Sequence, residues 1–285
     1  MPVREFFTRT GAELTHTEMI SCAGLIRDNK RTNTMITKSP LENKLVIQFF
    51  ASDPDSVFEA VKIAVEAEKN YYALGFNMAC PMPKVTKNGS GAALLKNPEI
   101  AVAIVKNLKR FKNYPVWLKI RKLNNDDDTL KFIELMINSG ADNICIHGRT
   151  REQRYEGQAD RNILRLAAKN FPGYISASGD VKTLDDINEY KSYGCDPVMV
   201  ARGAISNAWI FKEFQGIMIN YKERVSDLRA LAMRTNELYG EHIALITVKH
   251  FAGGLFHNFK GAADLRNRAY QSNTLEGIFK IFEEG

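Results

Sequence analysis

The chain has 285 residues, of which 45% are hydrophobic and 25% charged, as is usual for a soluble globular protein with one large domain or one large and one small domain. No apolar run is long enough to cross a membrane, and Arg4 and Glu5 interrupt the segment where a signal peptide would be apolar, so we expect a cytoplasmic protein without membrane contact. Four scattered cysteines without a C-x-x-C pair argue against a metal site and a disulfide scaffold. The net charge of +6 permits a polyanionic partner without requiring one.

Short apolar runs alternate along the chain with amphipathic helical patterns. The chain opens with a helix-like segment, "PVREFFTRTG", ahead of the first run. Near-continuous apolar runs are typical of strands that are buried on both faces of a parallel sheet. The predicted strands cover residues 14–20, 44–50, 73–79, 115–120, 142–147, 174–178 and 196–201.

Helix signals occupy the segments between these strands. Asp53 with Pro54 predicts a helix over residues 55–72, and Asn97 with Pro98 predicts another that continues to residue 108. Further helices are predicted over residues 127–138, 161–169 and 184–192. Repeated strand–helix units indicate either an open doubly wound sheet or a closed (β/α)₈ barrel, and seven strands are one short of the barrel. The alternation stops near residue 206, which predicts a barrel domain over residues 1–208 and an all-helical domain over residues 209–285.

Polar side chains cluster where the predicted strands end, which is where TIM barrels place their ligand sites. These residues are Gln48, Asn77, Cys80, Lys119 and His147. The last two strands are followed by glycine-bearing loops, "SGD" at residues 178–180 and "ARGA" at residues 201–204, which are typical of a phosphate site in such barrels. A lysine beside a phosphorylated cofactor suits a flavin, because it stabilises negative charge at the N1/O2 end of the reduced ring.

Several of these segments resemble the tRNA-dihydrouridine synthases, a family of flavin-dependent TIM barrels with a C-terminal helical domain. The resemblance is strongest in "FNMACPMPKVTKNGSGAALLKNP" and continues through "LKIR", "IHGRTREQRYEGQAD", "SGD" and "ARGAISNAWIF". The late segment "VKHFAGGLFHNFKGAADLRN" resembles the tRNA-contacting helical region of the family. The resemblance covers nearly the whole chain.

The resemblance implies reduction of specific tRNA uridines to 5,6-dihydrouridine, with FMN as cofactor and NADPH or NADH as reductant. Cys80 would act as the general acid that protonates C5 of the uracil, while hydride from the reduced flavin reaches C6. The implied FMN contacts are Gln48, Lys119, His147, Ser178, Gly179, Asp180, Ala201 and Arg202. The implied substrate contacts are Asn77 and Arg149 in the barrel and Lys249, His250, Lys260 and Arg266 in the helical tail.

The partner implied by the resemblance is tRNA, and we expect a monomer without a metal. The target base has to leave the tRNA stack to reach a flavin. Basic residues favour contacts with the RNA backbone, although a solvated helical face explains each one equally well. Beyond the four tail residues just given, the candidates are Arg268 in the tail and Arg151 and Arg154 near the barrel rim.

The chain departs from the family pattern at three points. Family members begin with a strand that carries a P-M-A-G-like turn, and this chain begins after it, so we expect a barrel without its first strand and weakened FMN binding. Ala79 stands where the family has glycine, which predicts ordinary backbone dihedrals there. Ser178 and Ala201 replace the usual Asn and Gly of the phosphate loops, whose backbone amides can still bind phosphate.

Two alternatives stay open at this point. One is a flavin-dependent reductase of a small molecule, of the dihydroorotate-dehydrogenase type. The other is a non-catalytic tRNA-binding barrel that lacks the first flavin-contacting strand.

Overall fold

The structure of the chain, a computed structural model, describes residues 1–256, 259 and 261–285. These residues form two compact units. The barrel unit is Leu14–Val200, and the helical unit combines Met1–Glu13 with Ala201–Gly285. The division lies at Ala201, whereas the sequence pattern placed it after residue 208, and the N-terminal segment belongs with the C-terminal helices.

A parallel sheet forms the centre of the barrel unit. Its strands in the described residues are β1 (Leu14–His16), β2 (Ile20–Ser21), β3 (Lys44–Phe50), β4 (Ala73–Met78), β5 (Val116–Arg121), β6 (Asn143–His147), β7 (Ile175–Ser178) and β8 (Val198–Met199). β1 and β2 both pair with β3, so they occupy one interrupted strand position, and the other strands follow in chain order. Every predicted strand is therefore present.

The interruption between β1 and β2 has a local cause. The Thr17 N–H still donates to the Val46 carbonyl of β3 at 3.0 Å, but the next contact is made by a side chain. The Gln48 N–H donates to Thr17 Oγ1 at 2.9 Å, and the register has shifted by one residue where Ile20 pairs with Phe49. A threonine hydroxyl thus replaces a strand carbonyl next to Gln48.

The sheet is curled like part of a TIM barrel and remains open. Within residues 1–256, 259 and 261–285, no ladder joins β8 to β1. The parallel strands and the helices around them confirm the predicted TIM-barrel-like fold. β4, β6 and β7 are buried at every position, because helices cover the outside of the sheet.

Helices of the barrel unit lie between the strands, and most of them begin at a side-chain cap. The Asp53 carboxylate accepts from the Ser56 N–H at the start of the helix after β3, which ends at Ala67 rather than at residue 72 as predicted. The helices of this unit in the described residues are α2 (Cys22–Ile26), α3 (Lys30–Asn33), α4 (Pro54–Ala67), α5 (Pro83–Thr86), α6 (Pro98–Lys109), α7 (Asp126–Asn138), α8 (Arg161–Asn170) and α9 (Leu184–Ser192), with a 3₁₀ helix over Gly91–Lys96; α1 (Pro2–Arg9) belongs to the helical unit.

The helical unit is built around aromatic side chains. Phe6 on α1 packs edge-on against Trp209, and the two ring centroids are 6.2 Å apart. The Trp209 indole N–H donates to the Asp227 carboxylate at 2.9 Å, which satisfies the one polar group of a fully buried ring. Its other helices in the described residues are α10 (Arg202–Ser206), α11 (Ile210–Phe214), α12 (Tyr221–Tyr239), α13 (Glu241–Leu255), α14 (Ala262–Gln271) and α15 (Leu275–Phe282). None of the helices in the described part of the chain has the length and apolarity that a membrane span requires.

Candidate active site

Strand register brings several of the predicted site residues to one level of the sheet. Asn77 on β4 lies opposite Lys119 on β5, which in turn lies opposite Cys145 on β6. Two residues further along, Arg121 lies opposite His147. Side chains two residues apart on a strand point to the same face, so these residues share one face at the carboxyl ends of the strands. This is the end at which TIM-barrel enzymes bind their ligands.

Asn77 organises the loop that carries Cys80. Its Oδ1 accepts hydrogen bonds from the N–H groups of Ala79 and Cys80 at 3.0 and 2.9 Å, and its Nδ2 donates to Gln48 Oε1 at 2.8 Å. The side chain is buried, whereas the Cys80 thiol is half-buried and accessible. The strand residue therefore holds the cysteine in place through the backbone of its loop.

The loop has the backbone conformation that the sequence predicts. The residues other than glycine with positive φ in the described part of the chain are Asp28, Arg154 and Asp180, so Ala79 has ordinary dihedrals. Further along the loop, Gly91 has a φ of +60°, and a Cβ there would lie 2.7 Å from the Cys80 carbonyl oxygen. Glycine is needed at this position for both reasons.

Arg121 joins the cysteine loop to the loop after β6, and the sequence analysis did not identify it as a site residue. Its Nε donates to the Ala79 carbonyl at 2.8 Å. Its Nη1 donates to the carbonyls of Thr150 and Arg154 at 2.8 and 2.7 Å. The guanidinium is fully buried, so these bonds hold the two loops in a fixed relation. Its position two residues after Lys119, on the same strand face, is the signal that could have identified it.

Lys119 is a half-buried cation at the centre of this face. Its Nζ lies 3.8 Å from Cys145 Sγ, and the ion pairs of the described residues do not include it. Burial and the charge of Lys119 lower the pKa of His16, on β1, to about 3. The neutral His16 ring accepts at Nδ1 from Gln48 Nε2 at 3.4 Å, because an amide nitrogen only donates. His16 was also missed, although it is a polar residue inside an apolar run.

His147 is held as a neutral hydrogen-bond acceptor. Its Nε2 is 3.2 Å from Arg149 Nη1, which can only donate, so the remaining proton of the neutral ring lies on Nδ1. Burial, followed by the charge of Lys119, lowers the pKa of His147 to about 3. The side chain is therefore uncharged at neutral pH.

Arg149 is engaged with the protein itself. The side chain is only 3% exposed, and its Nη2 donates to the Asp180 carboxylate at 2.6 Å and to the Gly157 carbonyl at 2.7 Å. The Asp180 carboxylate also accepts from the Ala159 N–H at 2.8 Å. Arg149 and Asp180 thus bind together the loops after β6 and β7, and their charged groups face each other.

Gly179 brings the loop after β7 close to His147. It has a φ of +120°, and an added Cβ would lie 2.8 Å from Ala159 Cβ and 2.9 Å from His147 Cδ2. Ser178, directly before it, is buried and lies opposite His147 in the β6–β7 ladder. Asp180 continues the loop with a φ of +52°, a conformation that Asp tolerates better than most residues.

The other predicted site residues belong to the helical unit. Arg202 begins α10 directly after Ala201, and Arg266 lies on α14. Lys249 and His250 lie near the end of α13, where His250 is exposed. Lys260 lies outside the described residues. Arg268 is ion-paired with Glu284 and Asp264. Among the described residues, no group of His, Cys, Asp and Glu side chains could hold a metal ion.

The curled parallel sheet, with a thiol, a lysine and a glycine loop at the carboxyl ends of its strands, defines a TIM-barrel-type enzyme. The model of the family "Dihydrouridine synthase (Dus)" matches residues 1–283. The chain is 31% identical over 290 aligned residues to a protein of Aquifex aeolicus named "Probable tRNA-dihydrouridine synthase", with 99% of this chain and 90% of that protein covered. It is 28% identical to "tRNA-dihydrouridine synthase B" of Vibrio cholerae, over 98% of this chain and 91% of that protein. The chain belongs to the dihydrouridine synthase family.

Proposed function

We propose that this protein is a tRNA-dihydrouridine synthase that reduces uridine in tRNA to 5,6-dihydrouridine with FMN and NADPH. The observation that carries the proposal is the placement of an accessible thiol and a half-buried lysine on neighbouring strand ends. Cys80 follows β4, and Lys119 on β5 lies opposite Asn77 on β4. The chain that carries them belongs to the dihydrouridine synthase family. The proton donor, Cys80, and the residue that would anchor the cofactor, Lys119, thus both lie at the carboxyl ends of the strands.

The residues of the rim fit a flavin. Lys119 is half-buried and, within the described part of the chain, has no carboxylate partner, so its charge is available to the electron-rich N1/O2 end of a reduced ring. Gln48 lies on β3 with its side-chain amide against Asn77, and Gly179 keeps the backbone after β7 free of a side chain. When bound, reduced FMN supplies the hydride that adds to C6 of uracil, and NADPH renews it.

Cys80 supplies the proton that completes the reduction. Its S–H bond breaks as a C–H bond forms at C5 of the uracil, and the thiolate that remains regains a proton from water. Asn77 positions this thiol through the backbone N–H groups of the loop, and one of its own amide N–H groups has no partner within the described residues. That N–H is available to a uracil carbonyl. The basic residues of the helical unit, with Lys249 and Arg266 among them, contact the tRNA backbone in this proposal.

The test is dihydrouridine formation on unmodified tRNA with added FMN and NADPH. Cys80→Ala should lower the rate by about 10²–10⁴-fold, the usual contribution of a general acid. Cys22→Ala is the matched control, because Cys22 is fully buried and burial raises its pKa to about 12. Full activity of Cys80→Ala would contradict the role of the thiol. Equal activity on free uridine would favour the small-molecule reductase, and tRNA binding without any turnover would favour the non-catalytic binding protein.

A further inference from the structure

A basic cleft of about 520 Å³ lies beside the cysteine loop in the barrel unit. Its walls come from the loop that follows β4 and from the loop that follows β6. The lining residues are Pro81, Pro83, Thr86, Lys87, Lys96, Arg151, Glu152 and Arg154. Four of them are cations and one is an acid. Pro81 follows Cys80 directly in the chain, so the cleft begins next to the proposed proton donor.

The four cations of the cleft are available to a ligand. Lys87, Lys96 and Arg154 are exposed, and Arg151 is half-buried. The ion pairs of residues 1–256, 259 and 261–285 use other side chains, among them Lys122 and Arg149 in the same unit. Four cations that converge on one concave site repel one another, and an anion that binds there relieves this repulsion.

We propose that this cleft binds a backbone phosphate of the RNA strand whose uridine enters the site. The inference rests on the proposed function. Phosphate oxygens are the ligands for which clustered lysines and arginines are best suited. Phosphate contacts fix the register of a nucleic acid on a protein without reading its sequence. A phosphate held beside Cys80 would fix which nucleotide lies over the rim.

The backbone of the cleft is tied to the cysteine loop. Arg154 has a φ of +50°, which is uncommon for a residue other than Gly, Asn or Asp. Its carbonyl accepts from Arg121, which also donates to the Ala79 carbonyl. One buried guanidinium therefore connects a wall of the cleft with the backbone that precedes Cys80. Strained backbone that is held by its surroundings is frequent at ligand sites, and here it directs a cation into the cleft.

The experiment measures how tRNA binding depends on salt. The test variant is Lys87→Ala with Lys96→Ala, and the matched control is Lys38→Ala with Lys69→Ala. The control lysines line a cleft of about 600 Å³ among residues that precede β3, β4 and β5, at the other end of the strands. Fluorescence anisotropy with unmodified tRNA between about 50 and 200 mM salt gives the slope of log K against log salt.

The slope of the test variant should be shallower by about 0.7–0.9 for each phosphate that the cleft no longer neutralises, and that of the control should match the wild type. Glu152→Gln removes the acid of the cleft and should tighten binding, whereas general damage to the loop would weaken it. If the wild type and the test variant have equal slopes while the wild type still forms dihydrouridine, the proposed phosphate site is wrong and the proposed function stands. If the slope is shallower in the test variant but the wild type forms no dihydrouridine, the phosphate site stands and the proposed function is wrong. Absence of tRNA binding by the wild type would overturn both.

Discussion

Asn77 is the side chain on which the order of the cysteine loop depends most directly. Asn77→Ala removes three hydrogen bonds, two from the N–H groups of Ala79 and Cys80 and one to Gln48. Ala79 is buried, so its N–H is left without a partner, whereas the N–H of the half-buried Cys80 can recruit water. At about 0.5–1.5 kcal/mol for each of the three bonds, the free energy of unfolding should fall by about 1.5–4.5 kcal/mol.

Thiol labelling gives a second, local readout of the same substitution. In the native protein Cys80 is half-buried and the other three cysteines are buried, so a disulfide reagent should label one thiol. Asn77→Ala should raise the labelling rate of that thiol, because the loop loses its anchor on β4. Asn77→Asp is the matched variant, since it keeps the acceptor for both loop N–H groups and loses only the donor to Gln48. Wild-type labelling and wild-type stability in Asn77→Ala would refute this account of the loop.

Three further predictions concern charge, backbone strain and packing. Burial and the charge of Lys119 lower the pKa of His147 to about 3, so the unfolded chain binds the extra proton below pH 6.5. The neutral His147 ring therefore destabilises the folded state only below that pH, by at most about 1.4 kcal/mol for each pH unit. In urea unfolding, the loss of stability between about pH 7 and pH 5 should be smaller in His147→Gln than in the wild type. Arg154→Gly relieves a left-handed backbone at some entropic cost and should raise the unfolding free energy by about 0.5–1 kcal/mol, while Arg154→Ala should not. Gly179→Ala brings a methyl group to 2.9 Å from His147 Cδ2 at a φ of +120°, and should therefore lower both thermal stability and flavin retention. Wild-type values of both would show that the loop can move aside.

Local signals in the sequence were sufficient for most of the barrel unit. The apolar runs became strands because helices cover the outside of the sheet, and Asp53 with Pro54 starts α4 through a cap that depends on neighbours in the chain. The roles of Arg121 and Arg149 could not be obtained this way. Arg121 reaches a carbonyl 42 residues away and Arg149 a carboxylate 31 residues away. Only the folded backbone decides whether such an arginine points outward or is buried among carbonyls.

The unit to which the first residues belong likewise depends on contacts with residues that are remote in sequence. Residues 2–9 form a helix as predicted, but an amphipathic helix does not reveal which core receives it. Phe6 finds that core at Phe251, with ring centroids 5.4 Å apart, and Glu5 pairs with Arg234. The boundary between two compact units depends on such tertiary contacts, which a change in local sequence pattern near residue 206 does not reveal.

The membership of α1 in the helical unit has a consequence for synthesis. The barrel unit Leu14–Val200 is inserted between two parts of the other unit, so α1 emerges from the ribosome well before its partners Trp209 and Phe251. Joining the two ends of so long a span costs about 5 kcal/mol of chain entropy if the span is unstructured, and much less once the barrel has folded. Folding of the inserted unit before α1 finds its partners would therefore shorten the search, and until α1 packs against them its apolar face stays exposed.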